Sequence, residues 1–183
     1  MASEELRERL VWGAGNVFYA EGINATGVQR ISEALGISKK TMYELFDSKD
    51  DLVAASLAAR DEQILSHLTG AAGDAGSDAR DQIVGLFAAI EPMLIADDAR
   101  GCPFLNACAE IAHPEHPAHR IAAEHKEKLR RWFERRLRRA RMPQPKAVSV
   151  RLMLIFDGAM SQVPAGTYRP GSAEAAAREL LGD

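Results

Sequence analysis

Residues 26–52, TGVQRISEALGISKKTMYELFDSKDDL, decide how this chain is read. Thr26 with Gln29 three positions on makes the T-x-x-Q pattern of a capping box. In that motif the hydroxyl accepts from the third helical amide and the glutamine reaches back. Val28, Ile31, Ala34 and Leu35 then fall on one face at helical spacing. Gly36 follows where a left-handed helix stop is needed, and Ile37 supplies the apolar contact behind it. Ser38 is the next cap, opening a second short helix with Met42, Leu45 and Phe46 as its inner positions. Ser48 and Asp51 repeat the capping logic, so a longer helix starts near Lys49. Two short helices about a glycine-containing turn are the layout of a helix-turn-helix, which presents its second helix to the major groove of DNA.

The outer surface of that second helix carries Lys39, Lys40, Thr41 and Tyr43, two cations and two hydroxyls close to a helix N-terminus. Such groups suit phosphate oxygens and base edges. The plain alternative is a solvated face, since lysines on a short helix need no partner.

Residues 5–52 resemble the N-terminal domain of the TetR family, the tetracycline-repressor-like bacterial transcription regulators. The residues that carry the resemblance are Phe18, Gly22, Ala25-Thr26, Ile31, Leu35-Gly36-Ile37-Ser38-Lys39, Tyr43, Phe46, Ser48-Lys49 and Leu52. Two positions depart from the family pattern: Leu45 stands where histidine is frequent, and Ser32 where a small alanine is common. The resemblance implies an all-α homodimer in which the first three helices bind DNA, the middle helices enclose a ligand cavity and the last two pair with their mates. The C-terminal part matches only in layout and in fragments such as Gly101-Cys102-Pro103-Phe104 and Phe156-Asp157-Gly158-Ala159.

Chemistry and resemblance together nominate Thr26, Gly27, Arg30, Ser38, Lys39, Lys40, Thr41, Tyr43 and Lys49 for DNA contact. Ser38, Tyr43 and Lys49 suit phosphates; Arg30, Lys40 and Thr41 are better placed for base edges. Gly27 would let the backbone approach closely, or simply ease entry into the helix.

The 183 residues, 46% of them hydrophobic, suffice for a small module plus a larger helical domain. No run of about 18 apolar residues exists, so no membrane span is expected. The opening MASEELRERL lacks the apolar stretch of a signal peptide, and a cytoplasmic protein is expected. The formal net charge is −3, and residues 1–52 hold six Lys/Arg against nine Asp/Glu. DNA affinity must then come from local placement of Arg30, Lys39, Lys40 and Lys49, with modest nonspecific binding that falls steeply with salt. Cys102 and Cys108 are expected to be free thiols, with a redox switch as the alternative.

Along the chain, helix 1 is expected over Ser3–Ala20, with Leu6, Leu10, Ala14, Val17 and Phe18 inward, and helix 4 over Lys49–Leu68. Gly70–Ser77, GAAGDAGS, reads as a loop. Ile83, Leu86, Phe87, Ile90 and Leu94 mark an amphipathic helix containing Pro92, and a short helix spans Pro103–Ile111. HPEHPAH (113–119) reads as a turn before a long helix to about Arg141, striped by Leu129, Trp132, Phe133, Leu137 and Ala140. The next helix, Ala147–Val163, is apolar on nearly every side around LMLIF (152–156), so it should be buried all round, as core and as interface. Ser172–Leu181 closes the chain. The expectation is an all-α fold of about nine helices, with a helix-turn-helix domain over 1–50 and a larger effector-binding and dimerisation domain over 51–183.

For an effector the candidates are Leu65, Phe87, Phe104, Asn106, Glu110, Trp132, Met153 and Phe156, an apolar and aromatic wall with a few polar groups. Ordinary core packing explains most of them as well. Asn106 and Glu110, spaced i, i+4, would share a helix face. The prolines at 114 and 117 make His113, His116 and His119 a turn and helix entry, so no metal and no cofactor are expected. Residues 120–141 hold ten Lys/Arg against three Glu, which reads as a solvated basic face. No Ser-His-Asp, thiol–histidine or phosphate-loop pattern points to an enzyme. The sequence therefore suggests a homodimeric, ligand-responsive transcriptional regulator, a repressor on a palindromic operator, released by a small, largely apolar effector. A constitutive architectural DNA binder without an effector is the alternative.

Overall fold

The computed structural model describes residues 2–182, and every regular element among them is an α-helix. These are α1 (Ala2–Glu21), α2 (Val28–Leu35), α3 (Lys39–Leu45), α4 (Lys49–Asp74), α5 (Ala79–Ile95), α6 (Pro103–Glu110), α7 (Pro117–Arg139), α8 (Pro145–Gln162) and α9 (Ser172–Leu181). They form two compact units, one from residues up to 62 with 103–123, the other from 63–102 with 124 onward.

In the first unit, Leu10, Val11, Ala14 and Phe18 of α1 are buried together with Ile31, Met42, Phe46, Leu52, Val53 and Leu57, while Leu6 and Val17 are half-buried. Each large apolar side chain so buried is worth about 1.5–3 kcal/mol. Ser56 Oγ donates to the Val11 carbonyl at 2.9 Å and Arg7 lies 4.8 Å from the Phe46 ring centroid, tying α1 to α4 and to the end of α3.

The inner face of α2 differs from its sequence reading. Ile31 and Ser32 are buried, Val28 and Leu35 are half-buried, and Ala34 faces outward. Among the described residues Ser32 Oγ has no hydrogen-bond partner. An unmatched buried hydroxyl is unfavourable, and alanine is the better helix former. Ser32→Ala is therefore expected to raise stability by up to about 1 kcal/mol, read as a higher denaturant midpoint at unchanged slope. A lower midpoint would mean that the hydroxyl is satisfied by water.

In the second unit α5, α8 and α9 pack together through Ile83, Leu86, Phe87, Ile90, Leu152, Phe156, Ala173, Ala177 and Leu181. The Phe133 ring of α7 stacks on Phe87 at 5.8 Å and meets Trp132 edge-on at 5.5 Å. Glu91 accepts from Tyr168 Oη at 2.5 Å and from Gly171 N–H at 2.9 Å, fastening the segment that leads into α9. Burial first, then that carboxylate, pushes the Tyr168 phenol well above its ordinary range.

Two expectations fail here. The stretch 70–77 is not a loop throughout, because α4 continues to Asp74. Leu68 and Ala72 are buried, and their burial outweighs the cost of about 1 kcal/mol that each helical glycine imposes. Nor is α8 buried all round: Leu154 is 69% exposed and Val150 46%.

The basic helix α7 carries its own counter-charges. Arg130 bridges Glu127 and Glu134, Arg131 adds to Glu127, and Arg138 adds to Glu134. Hydrogen bonds from Arg130 and Arg131 hold the Glu127 carboxyl down to about 2. A depressed carboxylate contributes stability above its unfolded value and loses it as pH falls through its folded one. Because the pair is largely solvated the contribution is small. The gap in thermal midpoint between the parent and Glu127→Gln should close between pH 4.5 and about 2, staying flat above. A gap that persists at the acid end would assign the effect to packing.

Candidate nucleic-acid interface

The turn between α2 and α3 is built as the sequence predicts. Gly36 closes α2 in the left-handed region (φ 63°), and Ile37 N–H bonds the Ser32 carbonyl at 3.1 Å. This six-to-one bond sets the angle at which the chain leaves α2. Ser38 Oγ accepts from Thr41 N–H at 3.0 Å and lies 2.8 Å from Thr41 Oγ1, capping α3. Ser48 Oγ likewise accepts from Asp51 N–H at 3.1 Å to start α4.

The capping box at Thr26 does not form. The N-cap of α2 is Gly27, with no side-chain bond, and Gln29 Nε2 donates to Glu33 at 2.6 Å instead. Thr26 is fully buried and its hydroxyl donates to the Gly22 carbonyl at 2.6 Å. Its hydroxyl is committed to the turn that precedes α2, and the residue has no exposed surface.

The remaining nominated residues sit as follows. Lys39 is exposed, and Lys40 is 87% exposed with Glu44 at 3.7 Å. Tyr43 is 53% exposed and hydrogen-bonds none of the described residues. Arg30 grips Glu21 through Nε and Nη2, at 2.9 Å and 2.5 Å, and this lowers the Glu21 carboxyl. Both side chains are more than a third exposed, so solvent screens the pair and it opens cheaply. Lys49 Nζ donates to the Ile23 carbonyl at 2.5 Å, which holds the start of α4 to the turn after α1. A Cβ on Gly27 would meet nothing within 4 Å, so the fold itself does not require glycine there. A shallow open depression runs past Gln29, Glu33, Gly36, Ser38 and Lys39.

Glu110, nominated for an effector, is used differently. Its Oε2 accepts from Asn24 N–H and its main-chain carbonyl from Asn24 Nδ2, both at 2.8 Å. It clamps the turn after α1, a contact across 86 residues that no local pattern signals. Asn106 shares with Glu110 a half-open cleft lined also by Phe18, Ile23, Leu57 and Arg60, with about 30 Å³ of room. Phe104, on the same helix, is fully buried. Leu65, Phe87, Trp132, Met153 and Phe156 belong to the second unit, where all but the half-buried Leu65 are core residues. The eight nominated residues are thus divided between the units.

In the histidine segment His116 Nδ1 accepts from Ala118 N–H at 3.0 Å, capping α7, and His119 Nε2 lies 2.9 Å from the Ile111 carbonyl. Among the described residues no three His, Cys, Asp or Glu side chains are grouped to hold a metal, and no helix is long and apolar enough to cross a membrane.

Residues 11–56 match the family of bacterial regulatory proteins, tetR family. The whole chain is similar in structure to a TetR transcriptional regulator of Streptomyces avermitilis, at 33% identity over 96% of each chain and a TM-score of 0.86. The chain belongs to the TetR family. A second TetR-family regulator, from Streptomyces coelicolor, is 30% identical over 96% of this chain and 86% of its own, with a TM-score of 0.85. A TetR-family regulator of Agrobacterium tumefaciens, at 18% identity and a TM-score of 0.83 over 98% and 97%, shares the fold. No curated protein matches the chain. The all-α architecture and the helix-turn-helix are those of a TetR-family transcriptional regulator.

Proposed function

We propose that this TetR-family regulator is a repressor that binds a palindromic operator as a homodimer and is released by a small, largely apolar effector. The observation that carries the reading is the outer face of the module, where Lys39, Lys40 and Tyr43 stand exposed beside the Ser38–Thr41 cap. In this reading Ser38, Tyr43 and Lys49 take phosphates, and Lys40, Thr41 and Arg30 reach base edges once Arg30 leaves Glu21. Gly27, whose missing side chain the fold does not need, leaves room for a phosphate against the backbone. Thr26 acts indirectly, by fixing the turn before α2.

Residues 1–50 then form the DNA-binding domain, and 51–183 the effector-binding and dimerisation domain. The exposed Val150 and Leu154, four apart and so on one face of α8, support pairing with a second copy, since covering apolar surface is favourable. The effector would be met by residues of the second unit, the aromatic set Phe87, Trp132 and Phe156 together with Leu65 and Met153. Its reach is bounded by its differential affinity for the two forms of the protein.

Selection of bound sequences from random duplex DNA at near-physiological salt tests the reading. An enriched palindrome with half-sites spaced for two symmetric recognition helices is the expected result. Binding without enrichment that vanishes as salt rises would replace it with a constitutive architectural binder.

A further inference from the structure

Arg60 of α4 is half-buried and forms no ion pair with a carboxylate among the described residues. Arg30, Arg130, Arg131, Arg138 and Arg178 each grip a glutamate. Arg60 instead donates through Nη2 to the neutral Asn16 Oδ1 at 2.7 Å, and its Cζ lies 5.4 Å from the Tyr19 ring centroid. Burial pushes the guanidinium below the ordinary arginine value, and the Tyr19 phenol pulls the other way. A cation withdrawn from water without an anion beside it is an unfavourable arrangement.

The same guanidinium lines the half-open cleft of the first unit, walled by Phe18, Ile23, Val53 and Leu57, with Pro103 and Ala107 of α6 on its border. Gly15 keeps the approach clear, because a Cβ there would stand 3.3 Å from Arg60 Nε. The other charge at the cleft is Glu110, whose carboxylate is taken by Asn24 N–H. Arg60 sits beside Gly15 and Asn16 and Glu110 beside Gly22, so the two charges are about 9 Å apart along α1. One end of the cleft is therefore cationic and the stretch between the charges is apolar.

We propose that this cleft is a ligand site separate from the effector's, taking a small aliphatic monocarboxylate with its carboxylate on Arg60 and its hydrocarbon against Phe18, Ile23 and Leu57. A carboxylate matches the planar guanidinium fork in shape and cancels its charge. The hydrocarbon covers a wall that a bare inorganic anion would leave wet. With about 30 Å³ of room inside a half-open cleft, the ligand is small and keeps part of its surface in solvent. Bound there, it joins α1, α4 and α6 within one unit. Because the Ile23 carbonyl also holds Lys49, occupancy steadies the turn between α1 and α2.

Methyl-resolved NMR of the full-length protein, titrated with sodium isobutyrate at constant ionic strength, tests the site. Ile23 reports the cleft, whereas Ile83 and Ile90, buried in the second unit, report binding near the aromatic set. The expected result is a saturable shift at Ile23 alone, with a Kd on the order of 1 mM for so few heavy atoms. Isobutyramide, of the same shape without the charge, should bind at least about tenfold more weakly, since charge-assisted hydrogen bonds are the stronger ones. Arg60→Gln should abolish the Ile23 shift while the Ile83 and Ile90 resonances stay in place. No saturable shift at Ile23, equal affinity for isobutyrate and isobutyramide, or a shift that survives Arg60→Gln overturns the proposal. Phosphate binding as tightly as isobutyrate also overturns it, because the apolar wall then plays no part. Shifts at Ile83 and Ile90 alone would overturn it while leaving the effector reading intact. The isobutyrate–isobutyramide comparison is made on the parent protein, so it decides the matter even if Arg60→Gln folds poorly.

Discussion

Tyr43→Ala is expected to lower operator affinity by on the order of a hundredfold or more while the thermal midpoint stays unchanged. The side chain is half-exposed on α3 and hydrogen-bonds none of the described residues, so its removal leaves no cavity and no orphaned partner. Bound to DNA, its hydroxyl would face a charged phosphate, and a hydrogen bond of that kind contributes about 1.5–3 kcal/mol. A homodimer loses two of them, and about 1.4 kcal/mol is a factor of ten. Tyr43→Phe, which keeps the ring, separates the hydroxyl from stacking against the sugar-phosphate chain. Arg30→Ala should be at least as damaging, because it also strips Glu21 of its partner and leaves a bare carboxylate near the DNA. Operator titration by fluorescence anisotropy at two salt concentrations reads these changes. Wild-type affinity in both alanine variants would remove this face from the interface.

Gly101→Ala is expected to be the most destabilising small substitution in the second unit. The residue sits at φ 74°, a region that costs an L side chain about 1–2 kcal/mol. An added Cβ would also overlap the Met160 main-chain oxygen and press on Pro164 Cδ at 3.4 Å, neither of which is the free end of a flexible side chain. Strain and displacement together should exceed about 3 kcal/mol, a large share of a typical 5–15 kcal/mol total. For a chain of this size that is a fall in thermal midpoint of about 6–12 °C. Gly166→Ala is the internal control, because its φ is 65° but a Cβ there meets nothing within 4 Å. It should show the conformational cost alone. Equal midpoints for the two variants would mean that the backbone at 101 relaxes away from α8 freely.

The elements that the sequence marks reliably are those stabilised by neighbours within a few positions. Gly36 after Leu35, Ser38 before Thr41 and Ser48 before Asp51 each satisfy backbone groups of their own helix end, so a short window contains both donor and acceptor. The Thr26 capping box looks the same in a short window and fails. Burial of Thr26 gives its hydroxyl the Gly22 carbonyl, and Gln29 turns to Glu33. The glycines of 70–73 are a loop signal by propensity, yet Leu68 and Ala72 find burial and carry the helix through them. The apolar run of α8 predicts burial on every side, whereas Leu154 and Val150 are left outside.

The nominated contact residues divide along the same line. Ser38, Lys39, Lys40, Thr41 and Tyr43 lie on one short helix and its cap, where spacing alone orders them. By contrast, the Glu21 partner of Arg30, the Ile23 carbonyl under Lys49 and the Glu110 clamp on Asn24 are contacts at separations of 9, 26 and 86 residues. Sequence by itself therefore determined the helix-turn-helix, the caps of α3 and α4 and the all-α class, since periodicity and capping are local chemistry that the chain carries wherever it is placed. Only the tertiary structure decided which polar groups are already committed to one another. Those commitments depend on which distant segments are brought within about 3 Å, and no pattern along the chain encodes that distance.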